Sequence, residues 1–299
     1  MGGGGSIPVH MPAPPAPTQF DQPWRKTDWS KQNRDNMVET LRNFNLNDPN
    51  LGHLRFLVLG PIGAGKSSFI NSVNNVFQGR IAHNALGAAS SGTSFTKTYK
   101  THYIKNGTGR LPFVFNDVMG LEAQSGSGIH YDDLISALRG HIPEGYEFNP
   151  VSPLREESRD YKKEPNIEDK VHCLVNVIPA DKLSLISQDV LNKITKIREK
   201  ASELGLPQVV VITMPDKACE LMQKDVKNTY KIIEIKTKMQ MCSNFLGVPM
   251  DCILPVKNYH EECGLDNDMD ILILNAVTRI VNYANDYIWM QQNNKTSKQ

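Results

Sequence analysis

The chain has no cysteine framework, no long apolar run and no surplus of charge of either sign. Its five cysteines, Cys173, Cys219, Cys242, Cys252 and Cys263, form an odd, scattered set without a CxxC pair, which excludes a dense disulfide scaffold. No stretch approaches the roughly 18 apolar residues of a membrane span. No signal-peptide apolar region opens the sequence, so a reduced intracellular chain is expected. Basic and acidic side chains number 33 and 32, for a net charge of +1. A field strong enough to hold nucleic acid through its phosphates is therefore missing. His83, His102, His130, His141, His172 and His260 show no metal-ligand spacing and read as surface or packing residues. There is no internal repeat. What is present is ordinary globular composition: 299 residues, 39% hydrophobic and 22% charged, enough to bury a sizeable core.

The ends differ from the middle. Gly2–Gly5 and then Pro8, Pro12, Pro14, Pro15 and Pro17 make residues 1–22 a tail that buries little and is expected to be disordered. Met1-Gly2-Gly3-Gly4-Gly5-Ser6 fits the N-myristoylation pattern at Gly2 and equally a GGGGS linker. The linker or plain disorder is the preferred reading, because one acyl chain without a second signal is a weak anchor. Residues 23–50 read as a helical extension, with Met37, Val38, Leu41 and Phe44 at helical spacing over Asp35–Phe44. Residues 291–299 read as a flexible tail.

Between them, over residues 51–290, strands and helices alternate. Strands are expected at Leu54–Leu59, Val171–Ile178, Pro207–Thr213 and Cys252–Val256. Helices are expected at Ser67–Phe77, Lys182–Leu204, Asp268–Trp289 and, as one long amphipathic element, Cys219–Phe245. Such alternation implies an α/β fold, a mostly parallel sheet covered on both faces. Thr98–Ile104 and Leu111–Phe115, joined by an Asn106-Gly107 turn, form a β-hairpin. One strand of the sheet should therefore run antiparallel. Small GTPase domains carry such a hairpin between their switch regions; nucleoside kinases do not.

The strongest signal is Gly60-Pro61-Ile62-Gly63-Ala64-Gly65-Lys66-Ser67, a G-x-x-x-x-G-K-[ST] loop between a strand and a helix. Its chemistry needs these residue types. Gly60, Gly63, Ala64 and Gly65 let backbone N–H groups close around phosphate oxygens. The helix opening at Lys66, Ser67 and Ser68 presents its positive dipole end. Lys66 places a charge on the β- and γ-phosphates, and the Ser67 hydroxyl ligates Mg²⁺.

Further along, Asp117-Val118-Met119-Gly120 is a D-x-x-G at the end of an apolar strand, 51 residues after Lys66. Asp117 would hold Mg²⁺ directly or through water, and the Gly120 N–H would reach the γ-phosphate. Upstream, Thr96, or failing it Thr93, would complete the Mg²⁺ shell. Thr213-Met214-Pro215-Asp216 follows a strand where a GTPase has [NT]-K-x-D. Asp216 would accept bonds from guanine N1 and its amino group, although a helix N-cap is the bland alternative. Met214 stands where a lysine is usual. Asn258 would close over the base edge. Leu121 follows the D-x-x-G where a water-orienting glutamine is common, so intrinsic hydrolysis should be slow unless Glu122, Gln124 or a group from a partner substitutes. Residues 121–170 form a long segment with a helix-like Tyr131–Arg139. Its Arg139 and Arg155 are candidate partner contacts, though each reads more simply as a solvated charge.

Together, Leu59–Ser72, Ser94-Phe95-Thr96-Lys97, Asp117–Glu122 and Pro23-Trp24-Arg25 resemble the interferon-induced protein 44 and 44-like family over roughly residues 23–290. The resemblance implies a P-loop GTPase-like three-layer αβα fold and GTP or GDP with Mg²⁺ as ligands. It also implies a cytoplasmic place in the interferon-induced antiviral response. Some members carry a further N-terminal domain; residues 1–22 are too short for one. Protein partners, among them a second copy of the chain in a nucleotide-dependent dimer, fit this reading. So do two other classes: a nucleotide-stabilised interaction module without turnover, and a P-loop ATPase or kinase.

Overall fold

The computed structural model describes residues 17–82, 97–124 and 127–296. Helix α1 (Lys31–Arg42) precedes strand β1 (Leu54–Leu59), helix α2 (Lys66–Gln78) and the hairpin β2 (Lys100–Asn106) and β3 (Gly109–Asp117). Helix α3 (Tyr131–Arg139), strand β4 (Cys173–Pro179), helix α4 (Gln188–Glu203) and strand β5 (Gln208–Thr213) follow. The short helices α5 (Pro215–Ala218) and α6 (Glu220–Lys224) lead to α7 (Ile233–Leu246), strand β6 (Ile253–Val256) and the long α8 (Asn267–Thr296).

The six strands lie in the order β2-β3-β1-β4-β5-β6. All neighbours pair parallel except β2 with β3. This is the expected α/β architecture with one antiparallel strand, a P-loop GTPase-like topology in three layers. β4 lies at the centre and all seven of its residues are buried, as a parallel strand covered on both faces requires. Pro255 occurs in β6, an edge strand, where a missing N–H is tolerated.

Two apolar layers enclose the sheet. On one face α3, α4, α6 and α7 contribute Leu134, Ile194, Ile197, Met222, Ile235 and Met239. On the other, α1, α2 and α8 cover Phe56, Phe113, Phe115 and Val175. Phe69 and Phe77 of α2 meet the strand phenylalanines edge-on, with ring centroids 5.9 Å apart for Phe69–Phe115 and 6.2 Å for Phe77–Phe113. Each such ring contributes roughly 1.5–3 kcal/mol of burial, so the helix that follows the glycine-rich loop is firmly seated. The run Ile271–Leu274 of α8 is buried on every side. The reason is that α8 packs on the sheet while α1 covers its outer surface through Val38 and Leu41, which an all-round apolar helix segment demands.

Three expectations need correction. The single helix over Cys219–Phe245 is broken into α6, a 3₁₀ turn at Val226–Tyr230 and α7. The backbone at the break is used elsewhere: Phe20 N–H donates to Lys231 O (2.8 Å), Trp24 N–H to Tyr230 O (3.0 Å) and Ile233 N–H to Thr18 O (3.1 Å). The same contacts show that ordered pairing begins at Thr18, inside the stretch that composition assigned to the tail. Arg25 extends the attachment to Met250 O and Ile253 O. Finally, α8 continues to Thr296, beyond the expected end at Trp289. Among the described residues no helix is long and apolar enough to cross a membrane.

Candidate functional site

The glycine-rich loop leaves the carboxyl end of β1 and enters α2. At Gly60 a side chain is excluded: a Cβ would stand 2.2 Å from Val177 O of the neighbouring β4. Ala64 is buried and its N–H turns back to Pro61 O at 3.2 Å. Gly65, at φ +84°, is the residue before α2, and no side chain caps the helix there. The first N–H groups of α2, from Lys66, Ser67 and Ser68, have no carbonyl one turn back within the helix. No acidic residue stands in that first turn. An uncapped helix start with its positive dipole end and free-standing donors is the arrangement that suits an anion.

Lys66 is buried, and its Nζ donates to Gly60 O and Pro61 O, both at 3.2 Å. Burial holds its ammonium below the usual lysine value, with the Asp117 carboxylate opposing that shift. A desolvated cation facing two neutral carbonyls is poised for a stronger, anionic partner. Ser67 Oγ donates to Asp117 Oδ2 at 2.5 Å, so the two residues named as cation ligands are brought together. Among the described residues no cluster of three or more His, Cys, Asp or Glu could hold a metal alone. A Mg²⁺ at Ser67 and Asp117 would therefore draw its other oxygens from phosphate and water, as hard cations on nucleotides do.

Gly120 closes on the loop: a Cβ there would lie 2.6 Å from Ile62 Cγ1 and 3.0 Å from Ile62 N. The chain then runs parallel to Pro61 through Leu121, whose N–H donates to Gly60 O at 3.1 Å. The Leu121 side chain is buried in the apolar layer. Thr96 and Thr93 lie outside the described residues.

The base side is assembled from two other loops. Thr213, at the end of β5 and fully buried, donates its hydroxyl to Ala64 O at 2.6 Å. Met214 adopts φ +54°, the one positive φ of a non-glycine among the described residues. That turn serves as the N-cap of α5, so Asp216 is a helical residue and not the cap. Asn258, past the end of β6, donates Nδ2 to Gly65 O at 3.2 Å. Its Oδ1 is buried without a hydrogen-bond partner. Gly65 is flanked by Asn258 Nδ2, Met214 Cε and Thr213 Cβ, 3.0, 3.6 and 3.7 Å from a Cβ placed on it. Thus Gly60, Gly63, Ala64, Gly65, Lys66, Ser67, Asp117, Gly120, Thr213 and Asn258 form one cluster. Ser72 and Tyr259, to which the motifs assign no role, stand behind it: Tyr259 N–H donates to Ser72 Oγ at 2.9 Å.

Comparison with known proteins agrees with the motifs. Mouse interferon-induced protein 44 is 34% identical over 256 residues, covering 85% of this chain and 60% of that protein. The human protein of the same name is 33% identical over 257 residues, 85% of this chain and 57% of that one. This chain is a homologue of interferon-induced protein 44. Human interferon-induced protein 44-like is 29% identical over 261 residues, 87% of this chain and 58% of that protein. The homologue thus spans somewhat under two thirds of the length of these relatives. No family model matches it. Among solved structures, it is similar to a probable GTP-binding protein engB, at 11% identity and TM-score 0.43 over 78% of this chain and 99% of that one. It is also similar to an S. thermophilus NFeoB mutant bound to GDP, at 15% identity and TM-score 0.36 over 78% and 61%.

Proposed function

We propose that this homologue is a guanine-nucleotide-binding protein of the interferon-induced antiviral response, acting in the cytoplasm. In this reading it holds GTP or GDP with Mg²⁺ and turns GTP over slowly or not at all. The observation that carries the reading is the buried Lys66 ammonium, held by two neutral carbonyls beside an uncapped helix start. In this reading the N–H groups of Gly63, Gly65, Lys66, Ser67 and Ser68 receive the phosphate oxygens, and Lys66 exchanges its carbonyls for them. Ser67 and Asp117 hold the cation, with Thr96 completing the set, and Gly120 faces the γ-phosphate. Asp216 accepts from the guanine edge, while Thr213 and Asn258 fix the wall against which the base lies. The cation, when bound, neutralises charge on the transferring phosphoryl group.

Slow turnover follows from Leu121. Its side chain offers no hydrogen bond, is buried, and its N–H is committed to Gly60 O, so Leu121 itself does not orient an attacking water. The same observation favours a second reading, an interaction module that uses the nucleotide to order a surface for a protein partner or for a second copy of itself. Single-turnover hydrolysis divides these, with a rate below about one per minute expected from the isolated chain, on the scale of unassisted GTPases. Displacement of a fluorescent GDP by GTP and ATP tests the base. GTP should compete and ATP should not; equal competition would support a P-loop ATPase or kinase instead.

A further inference from the structure

Asn258 reaches the glycine-rich loop from a segment that is itself held from the far side of the molecule. Its neighbour Tyr259 is buried, and the phenol donates to Asp270 Oδ1 of α8 at 2.6 Å and accepts from Asp266 N–H at 2.8 Å. Asp270 is 1% exposed, and its second oxygen takes Arg34 Nε at 3.0 Å and Nη2 at 2.8 Å. Arg34 belongs to α1, which packs against α8. Tyr259 N–H also donates to Ser72 Oγ, and Ser72 Oγ in turn donates to Ser68 O at 2.8 Å in the first turn of α2. Hydrogen bonds therefore run from Arg34 through Asp270 to Tyr259, the backbone joins Tyr259 to Asn258, and Asn258 bonds Gly65 O, with a branch from the Tyr259 N–H through Ser72.

Each link leaves little freedom. A buried carboxylate needs a cation and donors to stay where it is, and Asp270 has Arg34 and the Tyr259 hydroxyl. The phenol, with donor and acceptor both used, cannot swing without giving up its bonds to Asp270 Oδ1 and Asp266 N–H. Asn258 immediately precedes it in the chain, with its Oδ1 still unpartnered beside the loop.

We infer that Arg34, Asp270 and Tyr259 are positioning residues that hold Asn258 against the phosphate-binding loop, so that docking of α1 sets the affinity for nucleotide. The inference rests on the nucleotide-binding reading above. It goes beyond it in making the N-terminal helix part of the binding apparatus. A partner that pulled α1 away would loosen the site without touching it.

The test is a set of affinities for GDP with Mg²⁺. Tyr259→Phe keeps the ring and removes the hydroxyl, and should weaken binding about five- to tenfold, the value of one buried hydrogen bond. Arg34→Gln should do the same, and Arg34→Lys should recover part of the loss by restoring the charge. Asn258→Ala should weaken binding on its own. Adding Arg34→Gln to it should weaken binding no further, because Arg34 acts through Asn258. Losses that multiply, or variants that melt lower yet bind GDP as before, overturn the relay and leave a purely structural ion pair. Hydrogen exchange in the nucleotide-free protein is the second measurement: residues 60–68 and 257–260 should exchange faster in Tyr259→Phe, and unchanged exchange overturns the inference. Since that measurement needs no nucleotide, failure of the starting protein to bind GDP would remove the nucleotide reading while the relay was still judged.

Discussion

Two polar regions on the same sheet are completed to different degrees. Around Arg55 every contact closes within the protein. Its Nε donates to Glu168 O at 2.7 Å and its Nη1 to Asn116 Oδ1 at 2.8 Å. Thr101 Oγ1 accepts from Asn116 and donates to Glu144 at 2.5 Å. His172 uses both ring nitrogens, accepting from Arg55 N–H at 2.9 Å and bonding Ile167 O at 2.8 Å. At the glycine-rich loop the groups are held back: a lysine on neutral carbonyls, a helix start without a cap, an amide oxygen with no partner. A satisfied network rigidifies a fold, whereas unmet groups in a built cradle mark where a ligand completes the structure. Mutation should therefore affect ligand binding in one region and stability in the other.

The largest effect expected from breaking this contrast is at Lys66. Lys66→Ala should abolish Mg²⁺-dependent nucleotide binding, a loss of at least about a hundredfold or ~2.7 kcal/mol. The melting temperature of the nucleotide-free protein should change by only a few degrees, because the ammonium is desolvated and its hydrogen bonds go to two neutral carbonyls, with the Asp117 carboxylate only opposing the effect of burial. Isothermal titration beside thermal denaturation checks both halves. Retained affinity would remove the phosphate-site reading.

Within the loop, two glycines that look alike in sequence should behave differently. Gly60→Ala drives a Cβ to within 2.2 Å of Val177 O, backbone that cannot move aside, and should destabilise the fold by about 3 kcal/mol. Gly63 has nothing within 4 Å of its Cβ position and φ +72°, so Gly63→Ala should cost only about 1 kcal/mol of left-handed strain. Denaturant titration of both variants gives the comparison. Equal losses would mean that backbone conformation, not close approach, requires Gly60.

That pair also shows what the sequence could tell. The loop, its strand and its helix are contiguous, so residues 54–78 carried their own geometry and were legible. So was the hairpin, whose Asn106-Gly107 turn is local chemistry. The break in the expected Cys219–Phe245 helix was not legible, because it is made by hydrogen bonds from Thr18–Trp24, some two hundred residues earlier. The support behind Asn258 was invisible for the same reason. Nothing in the sequence singles out Arg34 or Asp270, and only the packing of α1 on α8 brings them together.

The completed region has its own test in pH. Burial, with the nearby Arg55 and His53 charges adding to it and the Ile167 bond opposing, pushes the His172 imidazole down to about 4. The folded value lies below the unfolded value of about 6.5, so the neutral ring is the folded form. Its contribution is complete above about pH 6.5. It is lost progressively as pH falls towards 4, for about 3 kcal/mol in all. Urea unfolding between pH 7 and pH 4.5 should show this loss, and His172→Gln should flatten the curve. A parallel curve in the variant would assign the pH dependence to carboxylates elsewhere.

A smaller effect on binding than at Lys66 is expected on the base side, where recognition depends on one side chain and not on a run of backbone donors. Thr213 is tied to Ala64 O, and the left-handed turn at Met214 opens α5, the short helix that carries Asp216. In the proposed reading a carboxylate there would accept two bonds from guanine N1 and its amino group, which adenine cannot offer in that arrangement. Asp216→Asn presents a donor where only an acceptor stood. It should weaken GDP binding about tenfold, ~1.4 kcal/mol, and favour xanthosine diphosphate, whose exocyclic oxygen accepts from the new amide N–H where guanine's amino group donated to the carboxylate. Displacement of fluorescent GDP by the two diphosphates, in both proteins, reads the change directly. The loss should stay well short of that in Lys66→Ala, because the phosphate cradle is untouched. If the variant binds both diphosphates as the starting protein does, Asp216 is a surface carboxylate on a short helix, and selectivity must come from the wall of Thr213, Met214 and Asn258.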